Sequence, residues 1–368
     1  MPKPTTTSIS DYEYIAPDDD YYQSIFFLTA EYSIKANFYL QAPTIIVNLF
    51  HLIVLFQKEL RSSSVYILMI GICISDIIST SINFYSKAGE LGYVPMIFTG
   101  TSGYSCIRSD YMGVNLGEEL VTTASQISRR LFSWLAVVMA IIRLISVMFP
   151  MSERVDTLTS PQGSVITLII CATFWTLYST WKFTFYRVFW LPDNAVESCK
   201  LYGPQFITPE YVLAAPVKMD RMMIDWRIVE FFVNVSSAVI YPLLTVSLLI
   251  ALRQIKKRRQ NLQRKENEPA DNTTKLILFM TIIFTFSEGL SGFSAFFIYH
   301  IETIAIHYPD LISTAVALEF PIAVLRTFNA FSHFFVCFLL SSQYRDVVKS
   351  LFTVRKKANQ VLFHRRSL

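Results

Sequence analysis

Charge is scarce in this 368-residue chain. Asp, Glu, Lys and Arg make up 16% of it against 52% hydrophobic residues, and the mean hydropathy is +0.40. A soluble domain of this length needs far more surface charge, so that class is excluded. The net charge of +4 is too small for general nucleic-acid affinity. Histidine is sparse too. His51, His300, His307, His333 and His364 are scattered with no His/Asp/Glu metal spacing, which leaves no metal site or cofactor to expect and little support for an enzyme. No internal repeat is visible, and a single proline break, Pro242 in the fifth apolar run, argues against a transporter or channel built from broken helices. Residues 1–37 contain no apolar core preceded by basic residues, so no cleavable signal peptide is expected.

What fills the chain instead is seven long apolar runs. They lie at roughly 38–57, 63–86, 116–149, 164–188, 229–253, 274–299 and 312–340, called spans one to seven below. About 20 such residues cross a bilayer as a helix. Lysine and arginine in the connections set the orientation. Lys58 and Arg61 follow span one. Arg253, Lys256, Lys257, Arg258, Arg259, Arg264 and Lys265 separate spans five and six, and Arg345, Lys349, Arg355, Lys356, Lys357, Arg365 and Arg366 follow span seven. These regions share the cytosolic side, which puts the N-terminus outside.

That N-terminal tail is acidic and tyrosine-rich, with Asp11, Glu13, Asp18, Asp19 and Asp20 among Tyr12, Tyr14, Tyr21 and Tyr22. It reads either as a solvated, disordered tail or as an electrostatic lure for a cationic ligand. Of five cysteines, Cys73, Cys171 and Cys337 fall inside spans as packed thiols. Cys106 and Cys199 fall on the outer, oxidising side, where a Cys106–Cys199 disulfide would tie the second outer loop to span three. The sequon at Asn272 lies on the cytosolic side and should stay bare.

Polar residues inside spans are expensive and usually functional. Asn48 lies in span one and Asp76 in span two. Arg143 lies near the inner end of span three, in Met139-Ala140-Ile141-Ile142-Arg143-Leu144. Pro242 follows Tyr241 in span five. Asn329-Ala330-Phe331-Ser332-His333 falls late in span seven, ahead of Ser341-Ser342-Gln343-Tyr344-Arg345. Together these resemble a rhodopsin-like G-protein-coupled receptor from residue 38 to about 352. The strings Leu68-Met69-Ile70-Gly71-Ile72-Cys73-Ile74-Ser75-Asp76, Arg129-Arg130-Leu131-Phe132-Ser133-Trp134-Leu135 and Ser341-Ser342-Gln343-Tyr344-Arg345-Asp346 narrow this. They are similar to the nematode serpentine receptor class W family, which is itself similar to FMRFamide-type neuropeptide receptors.

The resemblance implies an all-α membrane protein, a seven-transmembrane helix bundle with a short amphipathic cytosolic helix. It divides the chain into an extracellular tail (1–37), a receptor domain (38–340), and an amphipathic helix with cytosolic tail (341–368). It further implies that Asn48 and Asp76 form the polar pair joining helices one and two. Arg143 matches the arginine that contacts the G protein, here without its usual acidic neighbour. Pro242 matches the helix-five proline. Span six keeps Phe284 and has Glu288, but Leu290 stands where proline is usual, so a bend there falls to Gly289 and Gly292. In span seven His333, Phe334 and Cys337 replace the Asn, Pro and Tyr of the usual motif, with Asn329 one turn earlier. Asp76, Asn329 and His333 are then the expected central polar cluster.

Depth along the helices places four charges together. At 1.5 Å per residue, Arg129, Arg130, Glu288 and Arg326 all lie roughly 20 Å from the inner boundary, in the outer half of a bilayer. Two readings stand side by side. One is a self-neutralising structural network. The other is a ligand site whose surplus positive charge attracts an acidic group. Span three has Ser125 at the depth where amine receptors carry aspartate, which disfavours a biogenic amine. The long second outer loop, about 189–228, suits a peptide. On the cytosolic side, the basic stretch between spans five and six anchors the orientation and offers a G-protein contact. Tyr344, Val347, Val348, Leu351 and Phe352 recur at helical spacing as an amphipathic helix on the bilayer surface. The expected partners are therefore an extracellular peptide ligand, a heterotrimeric G protein and the lipid bilayer, with no nucleic acid. An external small molecule sensed by the same kind of receptor is the alternative.

Overall fold

The computed structural model describes residues 20–90, 112–149, 151–185, 187–190, 211–214, 217–262, 284–291 and 309–353. Cys106 and Cys199, the sequon at Asn272, Gly292 and most of the acidic N-terminal tail lie outside the described residues. Six described helices are long and apolar enough to cross a membrane: Leu28–Leu55, Ser64–Ala88, Glu119–Met148, Pro161–Thr184, Val229–Gln254 and Ala317–Leu339. They correspond to spans one to five and seven. Span six is described as helix over 284–291. The chain is nearly all helical, apart from a two-stranded antiparallel ribbon in which β1 (Arg187–Trp190) pairs with β2 (Tyr211–Ala214).

The described helices pack as a bundle. Span one lies against spans two and seven, span two against three, and span three against four and five. Unlike a soluble protein, the bundle buries a row of polar side chains and exposes apolar ones. On span one, Asn37, Gln41, Thr44, Asn48 and His51 recur every three or four residues, and each is at most 6% exposed. Ile46, Leu49 and Ile53 on the opposite side are exposed. Exposed apolar rows recur on span four (Ile166, Ile169, Ile170, Leu177) and span five (Leu243, Val246, Ile250). In lipid such rows face acyl chains, and polar side chains must turn inward to find partners.

Three sequence expectations shift. The first helix starts at Asp20, well inside the segment assigned to the tail. An i,i+4 pair between Lys35 and Glu31 at 2.6 Å helps carry the helix through that mixed stretch. Pro242 is not the only helical proline, because Pro43 and Pro321 also lie inside helices. Bundled helices tolerate them because neighbouring groups take up the freed backbone carbonyls. Span four begins at Pro161, with Ser160 capping it by accepting from the Gly163 N–H at 3.0 Å.

Gly71 lies where span two packs on spans three and four. A Cβ there would run into the side chains of Leu168 and Leu135. Gly71→Val should therefore push the spans apart and cost about 1–3 kcal/mol. The check is a lower melting temperature of the detergent-purified protein, with Gly71→Ala falling between the two.

After span seven, the backbone breaks at Ser341 and helix resumes over 342–353. Tyr344, Val347 and Val348 turn inward and Lys349 and Ser350 outward, as the spacing predicts. The buried face joins an apolar cluster with Val54, Leu55, Leu60, Ile70 and Cys337.

Candidate functional site

Two cavities occupy the bundle axis, and aromatic side chains separate them. The one toward Arg143 is the larger, about 590 Å³, lined by Arg143, Met139, Tyr241, Phe284, Asn329, His333 and Ser341–Gln343. The one away from Arg143 is about 220 Å³ and strongly polar, lined by Asn37, Gln41, Asn83, Lys87, Ser125, Gln126, Arg129, Glu288 and Arg326 among others. Phe132 borders both. Its ring lies 5.6 Å from His333 and 6.0 Å from Phe284, and Phe284 packs on Tyr241 at 4.4 Å.

The expected charged layer exists but is divided. Arg129, Glu288 and Arg326 share the polar cavity. Arg326 Nε lies 3.8 Å from Glu288 Oε1. Arg129 donates to the Ser291 hydroxyl on span six. Arg130 points away, into an adjoining cavity of about 150 Å³ between spans three and five. It donates to Ser179 Oγ at 2.6 Å and pairs with Glu230 at 2.8 Å, and its guanidinium sits 5.2 Å from the centroid of the Tyr178 ring. Arg130 thus braces span three against spans four and five. Lys182 and Glu119 pair at 2.5 Å between the ends of spans three and four. Lys87, at the rim of the polar cavity, lies 5.7 Å from the Phe320 ring.

The central polar residues are arranged differently from the expected pairing. Asn48 and Asp76 share no hydrogen bond. The link between spans one and two is instead Cys73 Sγ donating to the Asn48 carbonyl at 3.2 Å. His333 Nδ1 reaches Asp76 Oδ2 at 3.1 Å, across spans two and seven. The contact is too poorly aligned for a hydrogen bond and becomes an ion pair when the imidazole is protonated. His333 therefore takes the Asp76 carboxylate that Asn48 was expected to meet. Asn329 is buried beside them, but its side-chain oxygen has no protein partner. Pro242 lies inside the helix Val217–Leu262 next to Tyr241. Arg143 is exposed to the larger cavity and makes no ion pair among the described residues.

Several working residues escaped the sequence reading. Glu230 stands one residue inside the fifth apolar run, and the rule that singled out Glu288 applies to it equally. His51 was passed over as one of five scattered histidines, yet its Nδ1 lies 2.6 Å from the Tyr344 hydroxyl. No periodicity brings residues 51 and 344 together. Ser179 and Ser291 carry no signal of their own, since serine is common in membrane helices.

The chain thus combines a membrane bundle, a polar cavity in one half, a larger cavity bordered by Arg143 in the other, and an amphipathic helix after span seven. No curated protein matches it. A family profile described as serpentine type 7TM GPCR chemoreceptor Srw matches residues 35–355. The chain is therefore a multi-pass, seven-transmembrane G-protein-coupled receptor and belongs to the Srw serpentine chemoreceptor family.

Proposed function

We propose that this receptor stands in the plasma membrane with its N-terminus outside and answers a ligand carrying an anionic group. The observation behind this reading is the polar cavity, whose lining includes three cations, Lys87, Arg129 and Arg326, against two carboxylates, Asp76 and Glu288. A peptide that presents a carboxylate there, with its remaining length in the outer loops, is the first candidate ligand. A small external acid is the second. It is favoured by the family's chemoreceptor description and by a cavity of about 220 Å³, below the usual range for drug-sized ligands. The larger cavity and Arg143 belong to the G-protein side. The helix Val217–Leu262 carries exposed Arg253 and Lys257 past the end of span five toward the same partner.

The test is a calcium or cAMP reporter cell expressing the full chain, screened with peptides and small acids. Once a ligand is found, Arg129→Ala and Arg326→Ala should each lower its potency roughly 10- to 100-fold, because a charge-assisted hydrogen bond contributes about 1.5–3 kcal/mol. Arg130→Ala should reduce surface expression instead. Equal potency in all three variants would make the layer structural only. Arg143→Ala should abolish the ligand-evoked signal without changing surface expression.

A further inference from the structure

We infer that Glu288 is a tethered stand-in for the ligand's anionic group, and that its contact with Arg326 holds span six in the silent position. The ligand half of this statement rests on the anionic-ligand reading above; the tether half does not. Three observations carry it.

The first is the quality of the pair. An arginine and a carboxylate at their best form two parallel bonds of about 2.7–2.9 Å. Arg326 and Glu288 meet at one point, 3.8 Å apart. The buried Arg326 Nε has no hydrogen-bond partner among the described residues, and Glu288 Oε2 accepts a long bond from Ser133 Oγ at 3.2 Å. Arg326 is neutralised but under-coordinated. A carboxylate free to orient itself would satisfy its guanidinium better.

The second is what the pair holds. Within 284–291, polar links to other spans include Glu288 with Arg326 and Ser133, and Ser291 with Arg129. Both arginines project into the polar cavity. The remaining ring contacts of this segment are apolar, Phe284 against Tyr241 and Phe132. An anion that takes the arginines therefore removes these two polar restraints on 284–291 and leaves its aromatic contacts as a pivot.

The third is a destination for the displaced group. A buried carboxylate that loses its cation is costly. Glu288 also borders the adjoining cavity, lined by Arg129, Asn234 and Ser237 and by Arg130, which is shared there with Glu230. Release from Arg326 turns it from one arginine toward another. The cavity thus takes a carboxylate or a similar two-oxygen monoanion, acting by exchange with Glu288.

The tether is tested without any ligand, by the basal G-protein signal of the full-length receptor normalised to its amount at the cell surface. Glu288→Gln keeps size and a hydrogen-bond acceptor but removes the charge. It should raise the basal signal about tenfold, equivalent to about 1.4 kcal/mol. Arg326→Gln should do the same. The double variant should signal no more than either single one, because both break one contact. An unchanged basal signal in either single variant, or a multiplied signal in the double, overturns the tether. If one variant fails to reach the surface, the other and the double decide. Failure here leaves the ligand reading standing, since that is judged by ligand potency in the Arg129 and Arg326 variants. Adding Arg143→Ala to Glu288→Gln should return the signal to background.

Discussion

Replacing His333 with leucine is expected to remove most of the receptor from the cell surface. Asp76 is 7% exposed in the middle of the bundle, and His333 meets it at 3.1 Å, an ion pair when the imidazole is protonated. Leucine matches the bulk of imidazole roughly but leaves the carboxylate facing a side chain that offers it nothing. Deleting one partner of a buried pair costs about 3–5 kcal/mol, against a total stability of about 5–15 kcal/mol. Most of the folded population should be lost, read as reduced surface labelling and a lower melting temperature in detergent. Removing the charge from the other side separates the causes. Asp76→Asn combined with His333→Leu should recover much of what His333→Leu loses, because an amide is far cheaper to bury than a carboxylate. A double variant no better than His333→Leu would assign the damage to the lost stacking of Phe132 on the imidazole, 5.6 Å between ring centres.

The spans were legible because the membrane imposes a length and a composition that few other structures share. Apolar runs of about 20 residues survive in the sequence whatever packs against them. The ends were less legible. Asp20–Leu28 is helical although it reads as tail, since a helix that leaves the bilayer no longer needs apolar residues. Pro43 and Pro321 hid within their runs because a proline in a bundled helix need not end it. The amphipathic helix over 342–353 was visible from its spacing, which repeats the one-sided burial of Tyr344, Val347 and Val348.

The site was legible in depth but not in direction. A rise per residue places Arg129 and Arg130 at one level. Consecutive residues on a helix nonetheless point about 100° apart. One arginine therefore enters the cavity shared with Glu288 and Arg326, and the other turns to Glu230 and Ser179. Which of the two does which depends on how span three is rotated against its neighbours, and packing sets that rotation. The pairing of Asp76 with His333 instead of Asn48 has the same origin. Depth along a helix is a property of one segment; partner choice is a property of the bundle.

Truncating Tyr344 to alanine is expected to detach the surface helix and uncouple the receptor. Tyr344 is fully buried, and its ring packs on His51 at 5.4 Å and on Phe334 at 6.1 Å. Burial pushes its phenol well above the ordinary value, so the hydroxyl stays protonated and donates to His51 Nδ1 when that nitrogen carries no hydrogen. Its backbone N–H donates to Ser341 Oγ at 3.1 Å, and that oxygen pairs with the Tyr66 hydroxyl at 2.5 Å. One side chain and one turn thus fasten 342–353 to spans one and two. Removing a buried aromatic costs about 3–5 kcal/mol. Tyr344→Phe keeps the ring and loses only the hydrogen bond, leaving His51 unsatisfied at a cost of about 1–3 kcal/mol. Hydrogen exchange over 342–353 should therefore rise strongly for Tyr344→Ala and moderately for Tyr344→Phe. G-protein coupling should fall in the same order, because Ser341–Gln343 form part of the wall of the cavity that contains Arg143. Unchanged exchange in Tyr344→Ala would mean that Val347 and Val348 hold the helix by themselves, and coupling should then be unaffected as well.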